Sequence, residues 1–555
     1  MRFSNIVTAI ALTASVASAA IQSGRSLKHV GKADKPRNIH RSTSPTKTHD
    51  RPSTHKYLTP STAKYVVNGS KIPDVNFDIG ESYAGLMPIS KAANESSEFY
   101  FWFFPSENPA ASDEILIWLN GGPGCSSLEG LLQENGPFIW QYGTYRPVKN
   151  PYTWVNLTNV VWVEQPIGTG FTQGTPTAED ETEVAAQFMG FWENFMDTFD
   201  LKGRKVFITG ESYAGVYVPY IASNMLDKND TTYFNVEATM IYDPTIAPFA
   251  IQQQIPAVQF VDYWSGLHPF NDSYRAFLRN RSESCGFNAY LEKYLTFPPP
   301  GPFPVEIPGN NADGTPIDDC DVFDTIYDES QQLNPCWNPY HVATTCPQLW
   351  DVLGFPGVQD YLPEGAKIYF DRTDVQKAIN APVGRWKECS DGVLETDNSD
   401  WPIYSVLPSV IERTKRTVIG QGALDFMIMT NGTLLAIQNM TWNGAQGFQE
   451  KPKSPMYVPF HHESSQSTLA GSGVMGTTHT ERGLTWASVN LAGHMIPQHA
   501  PSAAYRHLEF LLGRVESLSS NIPFTTMDYP QPKGPLGNGT ALPPRVVTRG
   551  FEWEF

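Results

Sequence analysis

The chain has 555 residues, a formal net charge of −18, 41% hydrophobic residues and six cysteines. An acidic surface repels the phosphates of nucleic acids, so we expect no nucleic-acid partner. The length exceeds that of a typical single domain, but it suits one large core that carries insertions.

The N-terminus has the features of a secretory signal peptide. Arg2 precedes an apolar stretch over residues 6–16 that is too short to span a bilayer, and Ala17 and Ala19 supply the small residues of a cleavage site. We predict a signal peptide over residues 1–19. The protein is then secreted to the extracellular medium, with the vacuole as the alternative destination.

Two further segments flank the predicted core. Residues 20–60 are rich in Ser, Thr, Lys and Arg and have few large apolar side chains. Such a composition cannot bury enough surface to offset the cost of ordering, so we predict a basic pro-segment or disordered arm. Residues 516–555 form a C-terminal tail without the hydrophobic end of a lipid-anchor signal, so we expect no membrane anchor.

A chain that enters the secretory pathway can form disulfides and can be glycosylated at Asn-x-Ser/Thr sequons. Six cysteines in an oxidising route predict three disulfides among fifteen possible pairings. The sequence has no Cys-x-x-Cys and no His-Glu-x-x-His pattern, so we expect no metal site and no cofactor. The sequons are Asn68, Asn94, Asn156, Asn229, Asn271, Asn280, Asn431, Asn439 and Asn538.

One string, Gly-Glu-Ser-Tyr-Ala-Gly, occurs twice, at residues 80–85 and 210–215. A nucleophilic serine of an α/β hydrolase lies on a sharp turn between a strand and a helix, where small neighbours permit the strained backbone. Residues 205–209 predict the strand before Ser212, and residues 216–226 predict the helix after it, entered through a proline. Ser212 is therefore the predicted nucleophile.

The first copy of the string has a different context. Residues 75–79 alternate like a strand, but Pro88 stands where a helix after Ser82 would have to continue. We interpret this copy as a strand, a turn and a second strand at a sheet edge. Its likeness to the Ser212 string is then a coincidence.

Four motifs in this order resemble the serine carboxypeptidase family. The resemblance spans residues 64–512, and its motifs are WLNGGPGCSS at 118–127, VEQPIGTGF at 163–171, GESYAG at 210–215 and GHMIP at 493–497. It implies an α/β-hydrolase fold with a mostly parallel central sheet and a disulfide-stapled cap. It also implies that the enzyme takes the C-termini of peptides or proteins as substrate.

The α/β-hydrolase fold orders its catalytic triad as serine, acid and histidine along the chain. Residues 415–420 predict a strand whose exit places Asp425 on a loop beyond the sheet. His494 lies in a glycine-containing loop after a predicted strand at residues 485–489, where it can act as general base for Ser212. The chain departs from the familiar pattern at Ala423, where relatives carry a second Asp.

The remaining site residues come from the nucleophile turn and from the resemblance. The amide that follows the nucleophile, that of Tyr213, is one oxyanion donor, and the family pattern makes Gly122 the other. The resemblance also implies a device for the terminal carboxylate of the substrate. Its residues are Asn120, Gly121, Glu134 and Glu211. Because two glutamates beside a bound carboxylate cannot all be ionised, we expect activity at acidic pH.

The core is predicted in two halves, residues 61–246 and 369–515, separated by a cap insertion over residues 247–368. The cap holds four of the six cysteines and a proline-rich run. The resemblance pairs Cys125 with Cys389. For the other four cysteines we predict a nested arrangement, in which Cys285 bonds to Cys346 and Cys320 bonds to Cys336.

We therefore predict a serine-type carboxypeptidase that releases C-terminal amino acids through an acyl-enzyme on Ser212. An acyltransferase or an esterase on the same fold is the alternative. An esterase does not need paired glutamates near the nucleophile, whereas an acyltransferase would keep the whole triad.

Overall fold

The computed structural model describes residues 55–311, 314–347, 349–354, 365–461 and 471–527. The predicted signal peptide, the arm up to residue 54 and the tail from residue 528 onward lie outside these ranges. Among the described residues, no helix is long and apolar enough to cross a membrane.

The strands form one large sheet and two small ribbons. The bounds are β1 (Tyr83–Pro88), β2 (Glu98–Phe104), β3 (Glu114–Leu119), β4 (Phe138–Ile139), β5 (Val148–Lys149), β6 (Val160–Glu164), β7 (Lys205–Glu211), β8 (Val236–Tyr242), β9 (Arg416–Gly422), β10 (Thr441–Trp442), β11 (Ala445–Gln446), β12 (Ser454–Val458), β13 (Gly473–Glu481) and β14 (Leu484–Val489).

The helices lie between these strands and after the last one. They are α1 (Glu181–Phe199), α2 (Ala214–Asp227), α3 (Ala257–Tyr263), α4 (Asp272–Ser284), α5 (Phe287–Tyr294), α6 (Val322–Leu333), α7 (Thr373–Ala378), α8 (Leu407–Arg413), α9 (Thr430–Asn439), α10 (Ile496–His499) and α11 (Pro501–Leu511).

The large sheet has ten strands in the order β1-β2-β6-β3-β7-β8-β9-β14-β13-β12. From β6 to β14 neighbouring strands are parallel, and the pairs outside them are antiparallel. Every residue of β3 and β6 is buried, as expected of parallel strands covered on both faces. The sequence-based prediction of a mostly parallel α/β sheet is confirmed.

Strand β2 shows how the sequence fills both sides of this sheet. Its alternate residues Phe99, Phe101 and Phe103 point to one face, and there they contact the phenylalanines of α1. Tyr100 and Trp102 lie in the core on the opposite face. Edge-to-face aromatic pairs each contribute about 0.5–1.5 kcal/mol beyond their buried area.

The strands expected around Ser212, Asp425 and His494 are confirmed as β7, β9 and β14. The strand expected at residues 75–79 is wrong, because that segment is irregular and the strand begins only at Tyr83. The alternation there reflects side chains that pack on the core from a loop, such as Val75 and Ile79.

The helix after Ser212 also differs from its prediction. It begins at Ala214, so Pro219 lies inside it and does not open it. The ring of a proline inside a helix crowds the backbone carbonyl group four residues earlier, which here belongs to Gly215. Burial of nearly all of α2 outweighs the hydrogen bond that the proline removes.

Residues 247–368, the predicted cap, add no strand to the large sheet in their described part, and they form α3 to α6 there. The prediction of three disulfides and the Cys125–Cys389 pair are confirmed, but the nested pairing is wrong. Cys285 bonds to Cys320 and Cys336 bonds to Cys346.

Each of the two cap disulfides joins cysteines that the local fold of the chain brings together. Cys285 ends α4, and the turn that carries Cys320 packs against that end, where Arg281 forms an ion pair with Asp319. The loop between Cys336 and Cys346 folds back on itself through a hydrogen bond from Asn334 Nδ2 to the Thr344 carbonyl at 3.2 Å.

We predict that removing the long-range bridge destabilises the protein more than removing the shortest one. Cys125 and Cys389 are 264 residues apart, and Cys336 and Cys346 are 10 apart. A crosslink stabilises chiefly by restricting the unfolded chain, typically by about 2–4 kcal/mol and more for longer loops. Double Cys→Ser variants of each pair, compared by chemical denaturation, test this. Equal losses would contradict it, and non-reducing peptide mapping checks the pairing itself.

Candidate active site

Ser212 lies on the turn between β7 and α2 with a φ of 61°, a conformation that is strained for a residue with a side chain. Backbone hydrogen bonds hold it there. The Ser212 N–H donates to the Tyr242 carbonyl, and the Thr245 N–H donates to the Ser212 carbonyl, both at 2.9 Å. The side chain is partly exposed, so a ligand can reach it.

The flanking glycines of the turn are required by close packing. A Cβ at Gly210 would overlap the Leu119 carbonyl oxygen, and a Cβ at Gly215 would overlap the Thr245 carbonyl oxygen. The neighbouring strand and loop therefore approach the turn at backbone distance. This packing explains the small residues on both sides of Ser212.

Asp425 and His494 follow β9 and β14, and they form a buried pair. Nδ1 of His494 lies 2.7 Å from Oδ2 of Asp425, while Oδ1 of Asp425 accepts the Met427 N–H at 2.8 Å. Asp425 is fully buried and His494 is 4% exposed. The histidine proton on Nδ1 thus points to the acid, which leaves Nε2 as the nitrogen that can take up a proton.

The loops that surround the Asp425–His494 pair pack closely against one another. The His494 N–H donates to the Tyr340 carbonyl at 2.7 Å, and a Cβ at Gly493 would overlap that same oxygen. At Ala423, where the family pattern has an Asp, the backbone makes the contacts. Its N–H donates to Val489, and its carbonyl accepts from the Trp264 ring N–H, both at 3.0 Å.

The glycine loop after β3 lies directly against the nucleophile turn. A Cβ at Gly121 would overlap the Tyr213 nitrogen and lie 2.9 Å from the Ser212 Cβ. Gly122 has a φ of 112°, which favours glycine. Within the described part of the chain, neither the Gly122 N–H nor the Tyr213 N–H has an acceptor. Both amides are therefore available beside Ser212.

Asn120 joins the predicted glutamates into one buried cluster. Its Nδ2 donates to Glu211 Oε1 at 3.0 Å and to Glu134 Oε1 at 3.5 Å. Each glutamate keeps a buried Oε2 that receives no donor from the described residues, and the two carboxyl groups are close enough to form a hydrogen bond with each other. Such a bond requires that one of the two carries a proton.

The environment of the two glutamates favours that proton. Burial raises the pKa of Glu134 to about 7, although its bonds to Glu211 and Asn120 oppose the rise. Burial, followed by the charges of Glu134 and Glu129, raises the pKa of Glu211 well above its ordinary value. The cluster is therefore at least singly protonated at acidic pH.

Sequence reasoning missed a third member of this cluster, Glu129. Its Oε2 accepts from Asn120 Nδ2 at 3.4 Å, and burial together with the Glu134 charge raises its pKa well above the ordinary value. Glu129 immediately precedes a π-helical segment, Gly130–Asn135. The hydrogen bonds of a π-helix join residues five apart, and those of an α-helix join residues four apart. Ordinary α-helical periodicity therefore did not indicate that Glu129 lies near Glu134.

The first copy of the repeated string, which contains Ser82, lies far from these groups, since β1 is four positions from β7 in the sheet. Ser82 is fully buried just before β1, at the edge of the large sheet, and its hydroxyl has no hydrogen-bond partner among the described residues. Its neighbour Glu81 accepts from the Tyr83 hydroxyl at 2.7 Å. This copy therefore lacks the turn, the histidine and the acid that surround Ser212.

Among the described residues, the side chains of Asp243, Asp425 and His494 form the one cluster of metal-ligating residue types. Hydrogen bonds already engage both Asp425 oxygens and His494 Nδ1. This arrangement is that of an acid–base pair, and we assign no metal to it.

Comparison with known proteins agrees with this arrangement. The sequence profile described as serine carboxypeptidase matches residues 73–513. A probable serine carboxypeptidase from Arthroderma benhamiae is 53% identical over 93% of this chain and 99% of its own length. The serine-type carboxypeptidase F of Aspergillus niger is 49% identical over 84% of this chain and 89% of its own length.

A solved structure supports the fold independently. The prohormone-processing carboxypeptidase of Saccharomyces cerevisiae superposes with a TM-score of 0.63 and 22% identity, covering 84% of this chain and 99% of the other. The α/β-hydrolase fold is thereby confirmed. Because the family profile and both close relatives cover most of its length, the chain belongs to the serine carboxypeptidase family.

Proposed function

We propose that Ser212, Asp425 and His494 are the catalytic triad with which this serine-type carboxypeptidase releases C-terminal amino acids at acidic pH. Membership of the family makes the chain a peptide hydrolase. The observation that carries the residue assignment is the buried pair of glutamates bound to Asn120 beside the Ser212 turn.

In the proposed reaction, His494 Nε2 takes the proton from the Ser212 hydroxyl as the oxygen attacks the scissile carbonyl. Asp425 holds the imidazole through Nδ1 and stabilises the imidazolium that forms. His494 then gives the proton to the leaving amino acid. Water repeats the sequence on the acyl-enzyme and frees Ser212.

The negative charge that develops on the carbonyl oxygen requires donors that are in place before the reaction. The N–H groups of Gly122 and Tyr213 are proposed for this role, since both lie at the Ser212 turn and neither has an acceptor among the described residues. The close packing of Gly121 against Tyr213 keeps the two amides near one another.

Recognition of the substrate terminus is proposed for Asn120, Gly121, Glu134 and Glu211. A carboxylate can accept hydrogen bonds from the Asn120 amide, from the Gly121 N–H and from whichever glutamate carries the proton. If both glutamates were ionised, they would repel the terminus. Binding therefore depends on a proton that is present at acidic pH and lost as the pH rises.

Secretion remains part of this proposal, with the vacuole as the alternative compartment. It is supported by the signal-peptide features of residues 1–19. It is also supported by the three disulfides, which form in oxidising compartments.

We predict that Ser212→Ala lowers kcat for a blocked dipeptide by several orders of magnitude, because the nucleophile is removed. The matched control is Ser82→Ala, which stands in an identical string. It deletes a buried hydroxyl that has no hydrogen-bond partner in the described part of the chain, so activity is expected to stay near that of the wild type. Similar losses in both variants, measured by steady-state kinetics, would refute the assignment of Ser212.

We predict that KM for peptides with a free C-terminus rises as the pH increases through about 7, because ionisation of Glu134 places a negative charge beside the bound carboxylate and leaves Glu211 as the one protonated member of the pair. The double variant Glu134→Gln and Glu211→Gln still donates hydrogen bonds but cannot ionise, so its KM should change little with pH. The corresponding peptide amides lack the terminal charge and serve as the control substrate. Identical KM profiles for wild type and double variant on free peptides would exclude these glutamates from carboxylate recognition.

A further inference from the structure

Asp243 follows β8 directly, and β8 lies between β7 and β9 in the sheet. Its φ of 41° is unfavourable for a residue with a side chain, and its N–H donates to the Gly420 carbonyl at 2.9 Å. The side chain is fully buried. The end of β8 thus holds a carboxyl group in a fixed position beside the loop that carries Asp425.

The two oxygens of Asp243 have different surroundings. Oδ1 accepts from Gln421 Nε2 at 2.6 Å and from the Gly422 N–H at 2.8 Å. Oδ2 is buried and receives no N–H or O–H from another described residue. An oxygen without a donor in a buried site is explained if it carries a proton and is itself the donor.

The acceptor that this proton faces is the carboxylate of Asp425. One oxygen of Asp243, one of Asp425 and one ring nitrogen of His494 lie within 4.8 Å of one another. Two buried carboxyl groups this close cannot both ionise without a large cost. One proton shared between them removes that cost.

The other charges around Asp243 do not favour its ionisation. Among the described residues, the titratable groups found around it are Asp425, His494, Glu211 and Tyr242, and none of these is a Lys or an Arg. Burial first, and then the Asp425 charge, raises the pKa of Asp243 well above its ordinary value, although the Gly422 N–H opposes the rise.

We propose that Asp243 is a positioning residue, whose protonated carboxyl donates a hydrogen bond from Oδ2 to Asp425 and so fixes the acid that orients His494. The inference rests on the proposed triad and adds a fourth member that touches neither substrate nor Ser212. It acts through Asp425, which then accepts from Asp243, from the Met427 N–H and from His494.

The arrangement limits activity at high pH. The proton of Asp243 is present below its raised pKa and lost above it. Ionisation removes the hydrogen bond to Asp425 and adds a second negative charge next to it. Without that donor the Asp425 carboxylate is no longer fixed in the orientation that holds the His494 imidazole. The rate constant kcat therefore falls on the alkaline side, separately from any change in substrate binding.

The test compares pH profiles of kcat for Asp243→Asn, Asp243→Ala and wild type on an N-blocked peptide ester. The ester lacks a terminal carboxylate, so the glutamate pair does not shape its profile. Asp243→Asn keeps a donor to Asp425 and an acceptor for Gln421 but cannot ionise. It is expected to retain wild-type kcat at acidic pH and to lose the alkaline decline. Asp243→Ala is expected to lower kcat about 10- to 100-fold at every pH with little change in KM.

Asp351→Asn is the matched control. Asp351 is also a buried aspartate, whose pKa burial raises to about 6, but it bonds to Gln133 and to the Leu353 N–H. Its variant is expected to keep the alkaline decline. The inference is overturned if Asp243→Asn keeps that decline, if it is no more active than Asp243→Ala, or if Asp351→Asn loses the decline as well.

A spectroscopic measurement covers the case in which Asp243→Ala fails to fold. The proton between His494 Nδ1 and Asp425 gives a low-field NMR signal, which is expected to change on alkaline titration in the wild type and to persist to higher pH in Asp243→Asn. Identical titrations would overturn the inference. Failure of the triad itself would show differently, as full activity in Ser212→Ala.

Discussion

Hydrogen bonding between the parallel strands β7, β8, β9 and β14 is the interaction on which the whole site depends. These four strands are consecutive neighbours in the sheet, and each delivers one residue just beyond its carboxyl end. Segments separated by more than two hundred residues of chain thereby meet at one edge. Each neighbouring pair of these strands is matched over five or six residue pairs, so the residues at the strand ends are held in fixed relative positions.

Proton sharing between buried carboxyl groups is the second theme of this edge. Glu134 and Glu211 form one pair near the glycine loop, and Asp243 and Asp425 form another behind His494. Burial is the main cause of the raised pKa of Glu134, Glu211 and Asp243. One pair is proposed to bind the substrate and the other to orient the base, and in both proposals function depends on a proton that is lost as the pH rises.

Local sequence carried much of this information. The apolar run before Ser212, the small residues around it and the order of serine, acid and histidine are local or ordinal features, and they led to β7, β9 and β14 correctly. Features that depend on packing were missed. Residues 75–79 alternate in polarity but pack as a loop, and Pro219 is tolerated because α2 is buried.

The site residues that the sequence analysis missed also depend on packing. Glu129 reaches the glutamate cluster through a π-helical segment, which no ordinary periodicity indicates. Asp243 is a single acid at the end of a strand, and only the neighbouring strand β9 brings it to Asp425. The cap disulfides follow chain reversals that sequence spacing alone does not fix.

The Cys125–Cys389 bridge has a consequence for where the enzyme can be assembled. It joins the glycine loop to the segment of Glu388 and Ser390, beside the hydrogen bonds from Ser126 N–H to Glu388 and from Ser390 N–H to Gly124 at 2.7 and 2.9 Å. Before oxidation, hydrogen bonds and packing alone hold the loop whose amides are proposed to receive the reacting oxygen. Maturation of the catalytic centre is therefore coupled to the redox state of the compartment, and newly made chains in a reducing cytosol lack the crosslink that secures it.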